Sequence, residues 1–315
     1  MTRTGDSYLA QAGITQASED AGRLMRLATY ASVAVALVLI VAKLGAWFLT
    51  DSVAVLGSLI DSALDAGASL VNMFAVRHAL TPADREHRFG HGKAEALAGL
   101  AQAAFVAGSA AFLFLETIGR LRRPHVIEAG EIGIVVIAVS IVLTLLLVLF
   151  QRYVIRRTGS VAIRGDSLHY RGDLLMNLAV IAALVLSSQY GMPLADPLFG
   201  LAVGAYLVYG AWSIFREARD HLMDRELPDE VRRQIREIAG AHPKVLSLHD
   251  LRTRSSGINT FIQLHLELDP DMSLIEAHEI SDEVEAMIRA VFTEAEVIIH
   301  QDPYGVEEER PSFRR

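Results

Sequence analysis

The sequence predicts an α-helical membrane domain of six transmembrane helices followed by a small, water-exposed α+β domain. Three observations carry this. The 315 residues are 52% hydrophobic with a mean hydropathy of +0.32, too apolar for an ordinary soluble protein. Six apolar stretches are long enough to cross a bilayer. Past Met223 the chain turns charged and breaks into short alternating segments.

The apolar stretches lie at about 27–50, 52–77, 94–119, 131–151, 166–190 and 196–217. At about 1.5 Å per residue each covers most or all of the roughly 30 Å of hydrocarbon. An even number of spans puts both ends on one side. The first residues, MTRTGDSYLAQAGITQASED, lack the apolar core and cleavage site of a secretory signal, so both termini are expected in the cytoplasm. Basic residues agree: Arg23, Arg77, Lys93, Arg156 and Arg164 are among twelve in the inner segments, against Arg120, Arg122 and Arg123 outside. The expected division is a tail at 1–26, a membrane domain at 27–222, a soluble domain at 223–305 and a tail at 306–315.

In the soluble part, MDRELPDEVRRQIREIAG reads as a linker and an amphipathic helix started by Pro228. Strands are expected at 245–254, 260–269 and 295–300, and a helix at 274–292 with Ile280, Val284, Ile288 and Val291 on one face. In FIQLHLEL, Ile262, Leu264, Leu266 and Leu268 alternate onto the core and leave His265 on the opposite face. Helix, strand, strand, helix, strand is an α+β order of ferredoxin-like character.

Composition narrows the chemistry. There is no cysteine, so disulfides, iron-sulfur clusters and thiolate sites are excluded, and any metal must be held by imidazole and carboxylate. The formal charge is -8, and residues 223–315 hold 20 acidic and 11 basic residues. An acidic soluble end excludes nucleic acid as its partner.

Asp61 and Asp65 fall inside the second span, about 15 to 21 Å from its outer end. Two carboxylates there cost several kcal/mol unless paired, protonated or metal-bound. Their spacing of four puts them on one helix face with Ser58, Ser69 and Asn72. The fifth span repeats the arrangement with His169 and Asp173, followed by Asn177. Three carboxylates and one imidazole at a common depth form a ligand set for zinc or a similar divalent ion. The other reading is a polar seam of protonated Asp residues holding helices together. Lys43 in the first span either snorkels or pairs with an acid such as Glu116. In the loop after span two, Asp84, His87 and His91 have a metal-ligand spacing that a solvated charged loop would also show. No HExxH motif is present and the ligand set leaves no evident general base, so an enzyme is not expected.

LIDSALDAGASLVN, PADREHRFGHGKAEALA and HYRGDLLMN, together with HDLRTRSSG, FIQLHLEL and VIIHQDP, resemble the cation diffusion facilitator family, and within it the bacterial zinc and iron(II) efflux type. The likeness runs from about residue 25 to 305. It implies a homodimer of the bacterial inner membrane, joined through the membrane part and a metallochaperone-like cytoplasmic domain, that exports Zn2+, Cd2+ or Fe2+ in exchange for protons. The implied transport site is Asp61, Asp65, His169 and Asp173, with a second site at Asp84, His87 and His91. A third, regulatory site is implied at His249, His265, His278, His300 and Asp302, with Asp302 bridging two ions.

Overall fold

The computed structural model describes residues 3–51, 53–122, 131–190, 192, 194–293 and 295–306. Two compact units are present, one built from Glu19–Leu222 and one that takes up the chain from Met223.

Six long helices make the first unit: α1 (Arg3–Thr50, which enters it at Glu19), α2 (Val53–Ala79), α3 (Lys93–Arg122), α4 (Glu131–Thr158), α5 (Val161–Tyr190) and α6 (Ala195–Leu222). Five of them are long and apolar enough to cross a membrane. The exception is α5, which has the length, at 30 residues, but carries Arg164, Asp166, Arg171 and Asp173 in its first half. Helix α1 begins well before the expected start at residue 27, at Arg3.

The unit is apolar on its outside. Val41, Phe48, Leu49, Phe112, Leu115 and Tyr209 are among many large side chains left exposed along these helices, as a lipid-facing surface requires. Its interior is packed through small residues. Helix α3 packs most extensively on α6, and α5 on α6. A Cβ at Gly172 of α5 would come within 2.8 Å of Leu207, and one at Gly210 of α6 within 2.6 Å of Leu168. Glycine at both positions lets the two backbones approach closely. The start of α5 is also fixed. Ser160 Oγ accepts the Ile163 N–H at 3.2 Å, and the buried Glu95 carboxylate of α3 is hydrogen-bonded by Ser160 and by the backbone N–H groups of Val161 and Ala162. A carboxylate there satisfies otherwise orphaned donors at the positive end of the helix dipole.

The second unit contains α7 (Asp229–Gly240), β1 (Ser247–Ser256), β2 (Asn259–Leu268), α8 (Leu274–Val291) and β3 (Ala295–Pro303). The strands form one sheet in the order β1-β2-β3. Strands β1 and β2 are antiparallel and β2 and β3 parallel, which demands the crossover that α8 supplies. Ile262, Leu264, Leu266 and Leu268 are buried against Ile235 and Ala239 of α7 and Ile280, Val284 and Ile288 of α8. Both helices therefore cover one face of the sheet. Val291, expected on the same face, is half exposed because α8 ends there with Phe292 as its C-cap. At the other end Ser273 and Glu276 form a capping box, and the Ser273 backbone N–H holds the Glu276 carboxyl below its ordinary range. A ferredoxin-like pattern has a strand before its first helix. Among the described residues that strand has no counterpart.

Leucine at Gly210 is expected to force α6 off α5 and to lower stability in detergent by about 1–3 kcal/mol. Leucine at Gly108, where an added Cβ meets nothing within 4 Å, is expected to leave the thermal midpoint unchanged.

Candidate metal sites

Within the membrane unit, two rungs of contact join α2 and α5. Asp65 Oδ1 lies 2.9 Å from His169 Nε2. One turn further along α2, Ser69 Oγ is 2.9 Å from Tyr170 Oη and donates to Asp166 at 3.4 Å. As α2 advances from 65 to 69, α5 runs back from 169 to 166, so the helices are antiparallel here. Asp173 Oδ2 is 3.6 Å from His169 Nε2, and one ligand atom from each of Asp65, His169 and Asp173 lies within 4.8 Å of the others. The i, i+4 spacing on α5 is what brings His169 and Asp173 to the same side.

His169 is the informative group. It is buried, with the ring of Phe105 from α3 packed edge-on at 5.2 Å. Its Nε2 pairs with Asp65 Oδ1 at 2.9 Å and faces Asp173 Oδ2 at 3.6 Å. A buried imidazole nitrogen set between two carboxylates presents a donor set that a shared cation can occupy. Asp61 departs from expectation. One turn before Asp65 on α2, it is exposed and its carboxylate is not part of this cluster. Its link to the group is electrostatic, through Asp65 and Lys43.

A neighbouring carboxylate was not foreseen from the sequence. Asp166, fully buried on α5, accepts hydrogen bonds from Ser32 Oγ of α1 at 2.5 Å and Gln151 Nε2 of α4 at 2.8 Å, besides Ser69 of α2. Tyr170 Oη also donates to the Ser32 carbonyl at 3.2 Å. One side chain thus ties α5 to three other helices immediately beside His169. The available signal was its place three before His169 and seven before Asp173, on the same helical face.

In the loop after α2, Asp84 Oδ2 is 3.4 Å from His91 Nε2 and Asp84 Oδ1 is 3.4 Å from His87 Nδ1. All three residues form one potential ligand group. Asp84 Oδ1 accepts the backbone N–H groups of His87 and Glu86 at 2.6 and 2.9 Å. These bonds, the one from His87 foremost, hold its carboxyl below the ordinary range. His91 Nδ1 lies 3.3 Å from the Thr81 carbonyl; donation there places the Nε2 lone pair toward Asp84. The ring of His78 meets that of His91 edge-on, with centroids 4.6 Å apart.

The third group stands on the open face of the sheet. Register sets His249 of β1 opposite His265 of β2, and His265 opposite His300 of β3, so three imidazoles lie in one row. A β-bulge between His249 and Arg252, with Asp250 at φ 47°, shifts the β1 register here. Asp302 is buried beneath the row. Its Oδ2 is 2.7 Å from His265 Nδ1 and 3.3 Å from His249 Nε2, while Oδ1 is 3.1 Å from His300 Nε2. The two oxygens therefore face different imidazoles. Two acids add to the expected set. Glu267 Oε1 approaches His249 Nδ1 at 3.0 Å, and Asp250 Oδ2 lies 3.9 Å from His265 Nε2. A hydrogen bond from Arg252 holds the Asp250 carboxyl below its usual range. His278 does not join them. It lies on α8, exposed, with Asp282 Oδ2 at 3.7 Å, and α8 covers the other face of the sheet.

Residues 29–223 match the Cation efflux transmembrane domain, and residues 227–304 the cytoplasmic domain of Cation efflux proteins. The cation-efflux pump FieF of Klebsiella pneumoniae is 50% identical over 90% of this chain and 95% of its own length. FieF of Cronobacter sakazakii is 49% identical over 92% and 96%. A solved structure of the zinc form of CzrB is 32% identical over 27% of this chain and 99% of that one, with a TM-score of 0.26. Spanning helices, a sheet domain and three acid-imidazole clusters thus occur in a chain that belongs to the cation efflux family of membrane transporters.

Proposed function

We propose that this protein exports a divalent transition-metal cation, zinc above cadmium or iron(II), from the cytoplasm in exchange for protons. The observation that carries the reading is the buried His169 Nε2, set between Asp65 at 2.9 Å and Asp173 at 3.6 Å across two antiparallel helices. Two oxygens and one nitrogen suit zinc and its neighbours. Asp61, one turn away, is the fourth ligand in this proposal and joins when α2 shifts. Helix α5 completes the six spans of this proposal, with Asp166 and His169 buried in the bundle. Both termini then lie in the cytoplasm of a bacterial inner-membrane protein.

Coupling follows from the ligands. Metal requires neutral His169 and ionised Asp residues, so capture releases protons and acid on the far side displaces the ion. If α2 and α5 open alternately to the two sides, this competition is antiport.

The loop cluster is proposed as a second, accessory site. On the sheet, His249 Nδ1 faces Glu267 Oε1 at 3.0 Å, and Asp302 offers each oxygen to a separate imidazole. That donor set fits a regulatory site in which one carboxylate bridges two ions. The working unit is proposed to be a homodimer through the cytoplasmic domain and membrane part, with metal at the sheet stabilising it.

Four outcomes are expected. Asp65→Ala and His169→Ala should each abolish pH-driven zinc flux in proteoliposomes; flux that survives either refutes the site, and binding without any flux in the unmodified protein favours a receptor over a carrier. Acidifying the releasing side should speed zinc flux and acidifying the loading side slow it. Because backbone hydrogen bonds keep Asp84 ionised below the ordinary carboxylate range, protonation of Asp84 should not be what releases metal from the loop on mild acidification, and Asp84→Asn should lower zinc retention at every pH measured. Alanine at Asp302 and His265 should reduce bound zinc per chain and shift the concentration dependence of transport; no change in either would remove the regulatory role.

A further inference from the structure

Lys43 places an ammonium inside α1, in the span Glu19–Thr50, about 10 Å from its end at 1.5 Å per residue. Its Nζ does not turn to Glu116. It donates to the Ser58 carbonyl at 3.1 Å and to Ser62 Oγ at 2.7 Å. Both acceptors belong to the turn of α2 that carries Asp61. From there its charge acts on Asp65, Asp173 and Asp61, so the ammonium is held beside the acid cluster by groups that are not themselves ligands.

Charge balance gives it a role. Asp61, Asp65 and Asp173, ionised beside a neutral His169, carry three negative charges. A dication neutralises two, and the remaining charge is costly in hydrocarbon. One fixed cation removes it. The same cation repels the metal and offsets the carboxylates left behind when the metal departs.

We infer that Lys43 is a tethered counter-cation that makes the metal-loaded site neutral and keeps metal affinity low enough for release. This rests on the transport-site reading above. Removing the charge strengthens binding and slows release, so KM and kcat fall together. A lysine that merely packs or snorkels would, when replaced, lower kcat or stability without lowering KM.

The test is zinc flux in proteoliposomes for Lys43→Gln, Lys43→Met, Lys43→Arg and Asp65→Ala, the Met variant guarding against a Gln variant that fails to insert. Both neutral variants are expected to lower KM for zinc and kcat by about tenfold each, from a unit charge at short range in a medium of intermediate dielectric. Lys43→Arg is expected to stay near the unmodified protein in both. Neutral variants with an unchanged or raised KM, or an Arg variant that behaves like them, overturn the inference. Full flux in Asp65→Ala would instead overturn the transport site itself.

Discussion

A charge inside hydrocarbon has to be compensated, and most of the membrane unit is arranged around that constraint. Asp65, His169 and Asp173 are tolerable only because antiparallel α2 and α5 bring them together. Asp166 is tolerable because Ser32, Ser69 and Gln151 supply donors from three helices. Lys43 finds its acceptors on α2. Close packing of α5 on α6 through Gly172 and Gly210 fixes the helix that carries most of these charges.

The cytoplasmic domain reaches a similar cluster by different means. Its apolar face is closed by α7 and α8, and the opposite face is left for ligands. Strand pairing sets three histidines in a row over a buried aspartate, with acids at its flanks. The membrane site uses helical spacing and the sheet site uses register, yet each sets imidazoles against carboxylates, the donors open to a chain without cysteine.

How much of this was legible in the sequence depended on whether a feature is local. The i, i+4 pairs Asp61/Asp65 and His169/Asp173 and the alternation in FIQLHLEL are local patterns, and they pointed to the helices, to the inward face of β2 and to three residues that the structure brings together, Asp65, His169 and Asp173. Asp61 shows the limit: one turn shares a face but not a cluster. The web around Asp166 joins Ser32, Ser69 and Gln151 from three distant segments, and no window of sequence displays it. Likewise the bulge at Asp250 and the approach of Glu267 to His249 come from strand pairing, which a single strand does not record. His278 was placed with the other histidines by resemblance, and the position of α8 on the core face separates it from them. Apolarity alone does not mark α5, because Arg164, Asp166, Arg171 and Asp173 lower its hydropathy, and of these Asp173 belongs to the acid-imidazole cluster and Asp166 lies beside it.

The most direct test of the account is the zinc X-ray absorption spectrum of protein in which His87, His91, His249, His265 and His300 are replaced by alanine. The account predicts about one tightly bound zinc per chain in a four-coordinate oxygen and nitrogen shell at about 2.0–2.2 Å, with scattering from a single imidazole. Absence of bound zinc, or a shell with two or more imidazoles, would contradict a transport site built on Asp65, His169 and Asp173.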